Sequence, residues 1–228
     1  MSETTHSFGK KSRWNPDELQ TEWLSVLLLV ILRCMVKSVI PLKILPAVFI
    51  AALLNVLLAS LVGKIGIPLY MDSLFSMVVT VSFGLLPGLA TAVLTNGILA
   101  LTSQTLFPFV ICHILTVMIA AFMKKRDFLK NVTGFLWLGL FAALINGVVG
   151  SVISFYLFSG VTKVHGIDKL VMGLIVTGRS FVTALFWAGM ISNILDKVFS
   201  ALVSYAILQH PLLNKGTRKG NNPLDQIN

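Results

Sequence analysis

The sequence predicts an all-α fold, a polytopic membrane bundle of six transmembrane helices preceded by an N-terminal amphipathic or additional helix. Of the 228 residues, 56% are hydrophobic and only 12% are charged, whereas soluble domains contain about 25% charged residues. The mean hydropathy is +0.87, and several apolar runs approach the roughly 20 residues that cross a bilayer core. Lipid is therefore the expected solvent of one membrane domain.

Six apolar segments are predicted to be spans. They comprise residues 44–62, 73–86, 88–101, 106–123, 133–158 and 181–208. The second and third segments are short, and the sequence GLLPG at 84–88 separates them. Because proline lacks the amide N–H of a continuing helix and glycine permits a tight reversal, we predict a helical hairpin that turns there.

The basic residues orient the predicted spans. With six spans and a cytoplasmic amino terminus, only Lys64, Lys163, Lys169 and Arg179 lie on the outer side. The many basic residues of the two tails and of the 124–130 segment then lie inside, as the positive-inside rule requires. The predicted organisation is a cytoplasmic tail with an interfacial helix at 1–43, a membrane domain at 44–208 and a cytoplasmic tail at 209–228.

Residues 23–40 are apolar enough to be a seventh span, yet they carry Arg33 and Lys37 one helical turn apart. We favour an amphipathic helix lying on the inner surface of the membrane. A seventh span would move the basic cluster at 10–13 to the outer side, against the charge rule.

Ionisable groups inside a membrane are costly, so each is a candidate functional residue. The sixth span holds Asn193, Asp196 and Lys197 along one side of the predicted helix, and that side must face the bundle interior or a wet cavity. In the alternative interpretation, Asp196 and Lys197 neutralise one another and have a structural role. The sequence leaves both interpretations open.

Single polar residues on the other predicted spans are further candidates for ligand binding. They are Asn96 in the third span, His113 in the fourth and Asn146 in the fifth. Asn146 belongs to a stripe of small and polar residues that close helix packing also explains, and a lone histidine is often a core residue. Arg179, just before the sixth span, could receive an anionic or polar ligand or extend to lipid headgroups.

The first predicted span has a nearly smooth face. Ala47, Ala51, Asn55 and Ala59 follow one another at intervals of four residues. Such a face suits close packing against another helix. The spacing does not say whether that helix belongs to this chain or to another protein.

The sequence does not favour an enzyme, a metal centre or a nucleic-acid-binding protein. The four histidines lack metal-ligand spacing, and serine nucleophile elbows and phosphate-binding glycine loops are missing. The net charge of +9 comes from basic residues at the ends of apolar runs, without the interleaved aromatic residues of a nucleic-acid surface. We predict no catalytic residues, no cofactor and no nucleic-acid partner.

Four features between residues 46 and 208 resemble the substrate-binding S components of energy-coupling factor transporters. The sequence GIPLYMDS at 66–73 is similar to the entry of that family's second helix, with Asp72 at the outer mouth. A glycine and proline turn and a short third helix ending near Asn96 follow. Ala47 and Ala51 resemble the family's docking alanines, and NILDKVFS at 193–200 resembles a last-helix signature of one subgroup.

The resemblance implies a capture subunit in a prokaryotic cytoplasmic membrane that binds a vitamin-like solute such as riboflavin. It would dock through Ala47 and Ala51 on a coupling transmembrane subunit driven by two separate ATPase subunits. The predicted substrate-binding residues are Asp72, Asn96, His113, Asn146, Arg179, Asn193, Asp196 and Lys197. The residues do not choose among riboflavin, another vitamin, a nucleobase and a metal ion. The metal ion is the least favoured of these, because few histidines and carboxylates cluster in the sequence. A membrane sensor or scaffold with a similar pocket is the alternative function.

Overall fold

The computed structural model of the protein describes residues 40–102, 104–160, 162 and 164–210. Residues 23–39 of the predicted interfacial helix lie outside the described residues. So does the predicted carboxyl tail from position 211 onward. Nothing in the structure bears on those two predictions.

The described part of the chain contains α-helices and short 3₁₀ helices and no strand, which confirms the all-α prediction. Two 3₁₀ helices, Leu42–Ile44 and Gln104–Phe109, precede α1 and α4. The α-helices are α1 (Leu45–Ile65), α2 (Leu74–Phe83), α3 (Leu85–Thr102), α4 (Val110–Lys125), α5 (Val132–Phe158), α6 (His165–Val176) and α7 (Phe181–Gln209). The sequence did not predict α6, which falls in the connection between the fifth and sixth predicted spans.

Four helical stretches are long and apolar enough to cross a membrane. They are Leu42–Ile65, Phe107–Lys125, Val132–Phe158 and Phe181–Gln209. The other two predicted spans correspond to the shorter apolar helices α2 and α3. The structure thus supports a membrane protein with four long apolar helices, and the count of six crossings stays a prediction.

α5 and α7 run in opposite directions, since Gly139 faces Val198 and Gly147 faces Met190, and the bundle has two distinct ends. At the cavity end, as we name it, α1 stops at Ile65 and α6 starts at His165. At the basic end, α4 stops at Lys125 and α5 starts at Val132. An apolar cluster that includes Met77 of α2 fills the bundle near the basic end.

The predicted reversal lies at Gly84, which has a φ of +100° between the end of α2 and the start of α3. Glycine adopts this conformation without the steric cost of a β-carbon. Pro87 lies within the first turn of α3, where its missing N–H removes no helical hydrogen bond. A β-carbon at Gly88 would collide with Thr80, so that glycine lets α3 approach α2 closely.

The connection between α1 and α2, residues 66–73, enters the bundle interior instead of staying at its end. The Met71 amide N–H donates to Asp196 Oδ1 over 2.7 Å, and Asp196 lies near the middle of α7. α2 therefore begins halfway along the bundle. Its 10 residues span about 15 Å at 1.5 Å per residue, which is half of a bilayer core of about 30 Å.

α5 and α7 form the tightest helix pair, because small residues line both facing surfaces. A β-carbon at Gly139 would lie 2.6 Å from the Val198 α-carbon and 2.9 Å from the Lys197 carbonyl oxygen. A β-carbon at Gly147 would lie 3.2 Å from the Met190 α-carbon. Gly139 and Gly147 thus serve the close packing of α5 against α7.

We expect Gly139→Ala to destabilise the protein by about 1–3 kcal/mol, because the added methyl group meets backbone atoms that cannot move aside cheaply. Gly97→Ala is the matched control, since its β-carbon would meet no atom within 4 Å. Thermal unfolding of the detergent-purified variants measures the difference. Equal Tm values for the two variants would contradict the close approach of α5 and α7.

Candidate ligand-binding site

A buried ammonium group shared by two carboxylates joins the re-entrant segment 66–73 to α7. Lys197 Nζ lies 2.6 Å from Asp196 Oδ2 and 3.1 Å from Asp72 Oδ1, and it also donates to Ser73 Oγ over 2.8 Å. The Asp196 side chain is fully buried and only 4% of the Lys197 side chain is exposed. Because an isolated charge in an apolar interior costs several kcal/mol, the three ions depend on one another.

This geometry favours the structural alternative for Lys197 and Asp196. Three oxygens surround the Lys197 ammonium group, while Asp196 faces the Met71 N–H with one oxygen and the ammonium with the other. A ligand could bind either group only by displacing a present partner. Their predicted role in direct binding stays untested, and the contacts shown are with the chain itself.

The position expected for Asp72 at the outer mouth is corrected by the structure. Its side chain is 15% exposed and pairs with Lys197 in the middle of α7. The eight-residue connection after α1 carries it inward, because the apolar residues around it and the ammonium partner stabilise the segment inside the bundle. Asp72 thus lies at the bottom of a recess.

Buried amides and one imidazole form a second polar network between α1, α2, α3 and α4. Asn55 Nδ2 donates to Ser76 Oγ over 3.0 Å, and the Phe75 amide N–H donates to Asn55 Oδ1 over 2.9 Å. His113 Nε2 lies 2.8 Å from the same Ser76 hydroxyl, and His113 Nδ1 lies 2.7 Å from Asn96 Nδ2. The network supplies a partner to the first turn of the half-length helix α2.

The contacts fix the proton position on His113. Asn96 Nδ2 donates to the Ala92 carbonyl oxygen, so its second hydrogen is left for His113 Nδ1, which must accept it. The ring is then neutral with its proton on Nε2, from which it donates to Ser76. His113 and Asn96 therefore have partners within the chain, as core residues do.

Two cavities meet at the tip of the re-entrant segment. The larger of these two, which we name the large cavity, has a volume of about 290 Å³, opens at the cavity end and is lined by Ala59, Ser60, Gly63, Lys64, Leu69, Tyr70, Asp72, Asn96, Leu99, Phe109, Val164 and His165. The small cavity, about 20 Å³, is lined by Tyr70, Asp72, Phe109, Cys112, His113, Asn146, Gly150, Asn193 and Lys197. Tyr70, Asp72 and Phe109 line both. The small cavity can accommodate one water, which needs about 10–15 Å³.

Most of the predicted binding residues converge on these cavities. The small cavity contains Asp72, His113, Asn146, Asn193 and Lys197, whereas Asn96 and again Asp72 line the large one. Asp196 lies behind Lys197. Arg179 is exposed in the connection between α6 and α7 and is not among the residues that line either cavity.

One polar atom in the small cavity lacks a partner within the described part of the chain. Asn146 is 1% exposed, and its Nδ2 donates to Thr116 Oγ1 over 2.7 Å, but its Oδ1 accepts no hydrogen bond. Leaving a buried acceptor unpaired costs about 1–3 kcal/mol. A water or a ligand donor in the cavity would remove that cost.

Sequence reasoning missed several residues of the large cavity. Tyr70 and Phe109 are aromatic residues outside the predicted polar stripes. Lys64 was predicted only to lie on the outer side, and His165 was considered only as one of the histidines without metal-ligand spacing. Tyr70 lies within the GIPLYMDS sequence, two residues before Asp72. That proximity was the available signal, because a segment that enters the bundle carries both side chains with it.

The alanine face of α1 is directed largely into the chain. Ala51 is buried in a cluster with Val48, Val79 and Ala90, and Asn55 belongs to the amide network. Ala47 is half-buried near the basic end. At Ala51 the alanine face therefore packs against helices of this chain. Docking of a partner protein through Ala47 stays a prediction.

Comparison of the chain with protein-family models, curated proteins and solved structures finds no match in any of the three. The resemblance to S components therefore stays an interpretation of sequence motifs.

Removal of the shared ammonium should be strongly destabilising. We expect Lys197→Met to cost about 3–5 kcal/mol, because it leaves two carboxylates buried without a counterion. Adding Asp196→Asn and Asp72→Asn to Lys197→Met should restore part of the loss. If thermal unfolding shows the single variant to be as stable as the wild type, the ion cluster does not hold the re-entrant segment.

The tautomer of His113 can be read directly. In protein labelled with ¹⁵N-histidine, we expect the His113 ring at neutral pH to give the signals of a neutral imidazole with a protonated Nε2 and an unprotonated Nδ1. His113→Ala identifies the resonances by their loss. A proton on Nδ1 would contradict the assigned contact with Asn96.

Proposed function

We propose that this chain is the membrane-embedded solute-capture subunit of a multi-chain importer of the energy-coupling factor type. The observation that carries the proposal is the large cavity of about 290 Å³, which opens at one end of an apolar bundle and stops at buried polar groups halfway through it. Ligand cavities of about 300–1,000 Å³ are typical for small molecules. A vitamin-like solute fits the lower end of that range.

The proposed topology has six crossings. α3 provides one, and α2 together with segment 66–73 provides another, since the segment occupies the half of the bundle that α2 leaves empty. Non-helical backbone is tolerated at membrane depth where it is buried in protein or lines a cavity. Segment 66–73 does both, with the Met71 N–H bonded to Asp196 and Tyr70 lining the large cavity. The cavity end is then the outer side and both termini are cytoplasmic.

Capture without chemistry agrees with the state of the reactive groups. The Lys197 ammonium and the His113 imidazole are each engaged by neighbouring side chains, and neither is left as a general base or nucleophile. Within the described residues no three histidines, cysteines or carboxylates come together to hold a metal ion. The energy for transport would come from separate ATPase subunits acting through a coupling subunit.

The proposed docking surface is the exposed side of α1. Only 22% of the residues in the most apolar stretch of this helix are buried, compared with 50% of those in the corresponding stretch of α5. Phe49, Ile50 and Leu57 are among its exposed apolar residues. Ala47 lies at the edge of this surface, where its small side chain permits close approach of a partner helix.

Affinity purification from native membranes tests the importer proposal. The tagged chain should retain a transmembrane coupling subunit and two ATPase subunits, and mass spectrometry of the gently extracted complex should identify a bound small molecule. We expect Ala47→Trp to abolish retention of the partners while leaving the small molecule bound, because tryptophan disrupts the docking surface and not the cavity. Ala51→Trp is unsuitable, since Ala51 is buried.

Val152→Trp is the matched control, because Val152 is an exposed apolar residue on α5, away from α1. It should retain the partners. Purification of the wild-type chain without any ATPase subunit would contradict the importer proposal. Retention of a signalling protein in their place would support the sensor alternative.

A further inference from the structure

We infer that the ligand of this site presents a positively charged, hydrogen-bond-donating group, which Asp72 receives where the two cavities meet. The inference rests on the proposed function in so far as that function requires a ligand. It names the chemical class of that ligand from the charges around the cavities.

The buried cluster holds more carboxylates than ammonium groups. Two carboxylates, Asp72 and Asp196, share the single ammonium of Lys197. Asp196 directs both oxygens at donors, the Met71 N–H and the Lys197 ammonium, and these contacts favour its carboxylate form against the cost of burial. With both carboxylates ionised, the cluster has a net charge of one negative unit.

Neighbouring groups reduce this negative charge without cancelling it. The amino terminus of α2 starts directly after Ser73 and supplies about half a positive charge. His113 is neutral, as its contacts with Asn96 and Ser76 require. Lys64 lines the large cavity but is exposed, so water and salt screen its charge. The bottom of the cavity stays negative.

Two acceptor groups that line the small cavity can take further hydrogen bonds. Lys197 occupies one oxygen of Asp72, and no other side chain in the described part of the chain bonds to that carboxylate. The buried Asn146 Oδ1 in the small cavity also lacks a donor. Both groups are hydrogen-bond acceptors, and each favours a ligand rich in N–H or O–H donors.

The aromatic residues at the junction favour the same class. Tyr70 and Phe109 line both cavities, and cations bind aromatic ring faces. The Tyr70 ring already lies 6.0 Å from Lys197 Nζ. An anionic ligand would meet the carboxylates and the ring faces with repulsion from both.

Three small molecules of one shape test the charge preference: benzamidine as the cation, benzamide as the neutral amide and benzoate as the anion. Calorimetric titration of the purified full-length wild-type chain with each gives their Kd values. We expect benzamidine to bind about tenfold or more tightly than benzamide, as a charge-assisted hydrogen bond implies, and benzoate to bind most weakly.

Asp72→Asn should remove the preference for benzamidine, because asparagine keeps an acceptor for Lys197 but loses the negative charge. Asp127→Asn is the control, since Asp127 is exposed at the basic end and pairs only with Lys130 among the described residues. It should leave the preference unchanged. Thermal unfolding checks that both variants are folded. If Asp72→Asn does not fold, the order of the three Kd values of the wild-type chain alone tests the inference.

Equal or tighter binding of benzoate, or no binding of any of the three probes, would overturn the inference. So would a preference for benzamidine that persists in folded Asp72→Asn. The measurement uses the purified chain alone. It can therefore fail while the copurification with ATPase subunits succeeds, and the two proposals are tested separately.

Discussion

The ammonium group of Lys197, shared between Asp72 and Asp196, is the interaction on which the rest of the structure depends. These ions lie in an apolar bundle, where each would cost several kcal/mol alone. Together they hold an irregular segment, residues 66–73, at the middle of α7. The same carboxylate that pairs with the ammonium accepts the Met71 N–H, so the cluster stabilises backbone as well as charge.

The cavity follows from that placement. Because α2 begins halfway along the bundle, it fills only the half toward the basic end, where Met77 packs into an apolar cluster. The other half holds an eight-residue segment in place of a helix, and this segment occupies less volume. Space remains between α1, α3 and the 3₁₀ helix Gln104–Phe109. At Gly139 and Gly147, by contrast, α5 and α7 are in close contact and leave no space between them.

A second set of polar groups keeps this half-length helix in register. Asn55 accepts the N–H of Phe75 in the first turn of α2, a group that has no partner within the helix. Ser76 then accepts donors from Asn55 and His113. Buried polar residues that looked like ligand contacts in sequence thus include several whose partners are the helix ends of the chain itself.

Composition and apolar periodicity were sufficient to predict the all-α fold, the four long helices and the reversal at Gly84, because these depend on local chemistry. The convergence of His113, Asn146 and Asn193 on one cavity also followed from the rule that polar groups avoid lipid. Sequence could not place Asp72 in depth, because that depends on Lys197, 125 positions away. It could not separate ligand contacts from internal partners either, and α6 was not predicted, because its 12 residues are too few for a membrane span.

Cross-linking tests the position of the re-entrant segment most directly. Met71 Sδ lies 3.8 Å from Ser200 Oγ, so in a chain with Cys34→Ser and Cys112→Ser, a short bifunctional thiol reagent should link Met71→Cys to Ser200→Cys, detected as a linked peptide by mass spectrometry. Absence of that link, with Met71→Cys freely labelled by a membrane-impermeant thiol reagent, would place the segment at the surface. The account of both the cavity and its charge would then be wrong.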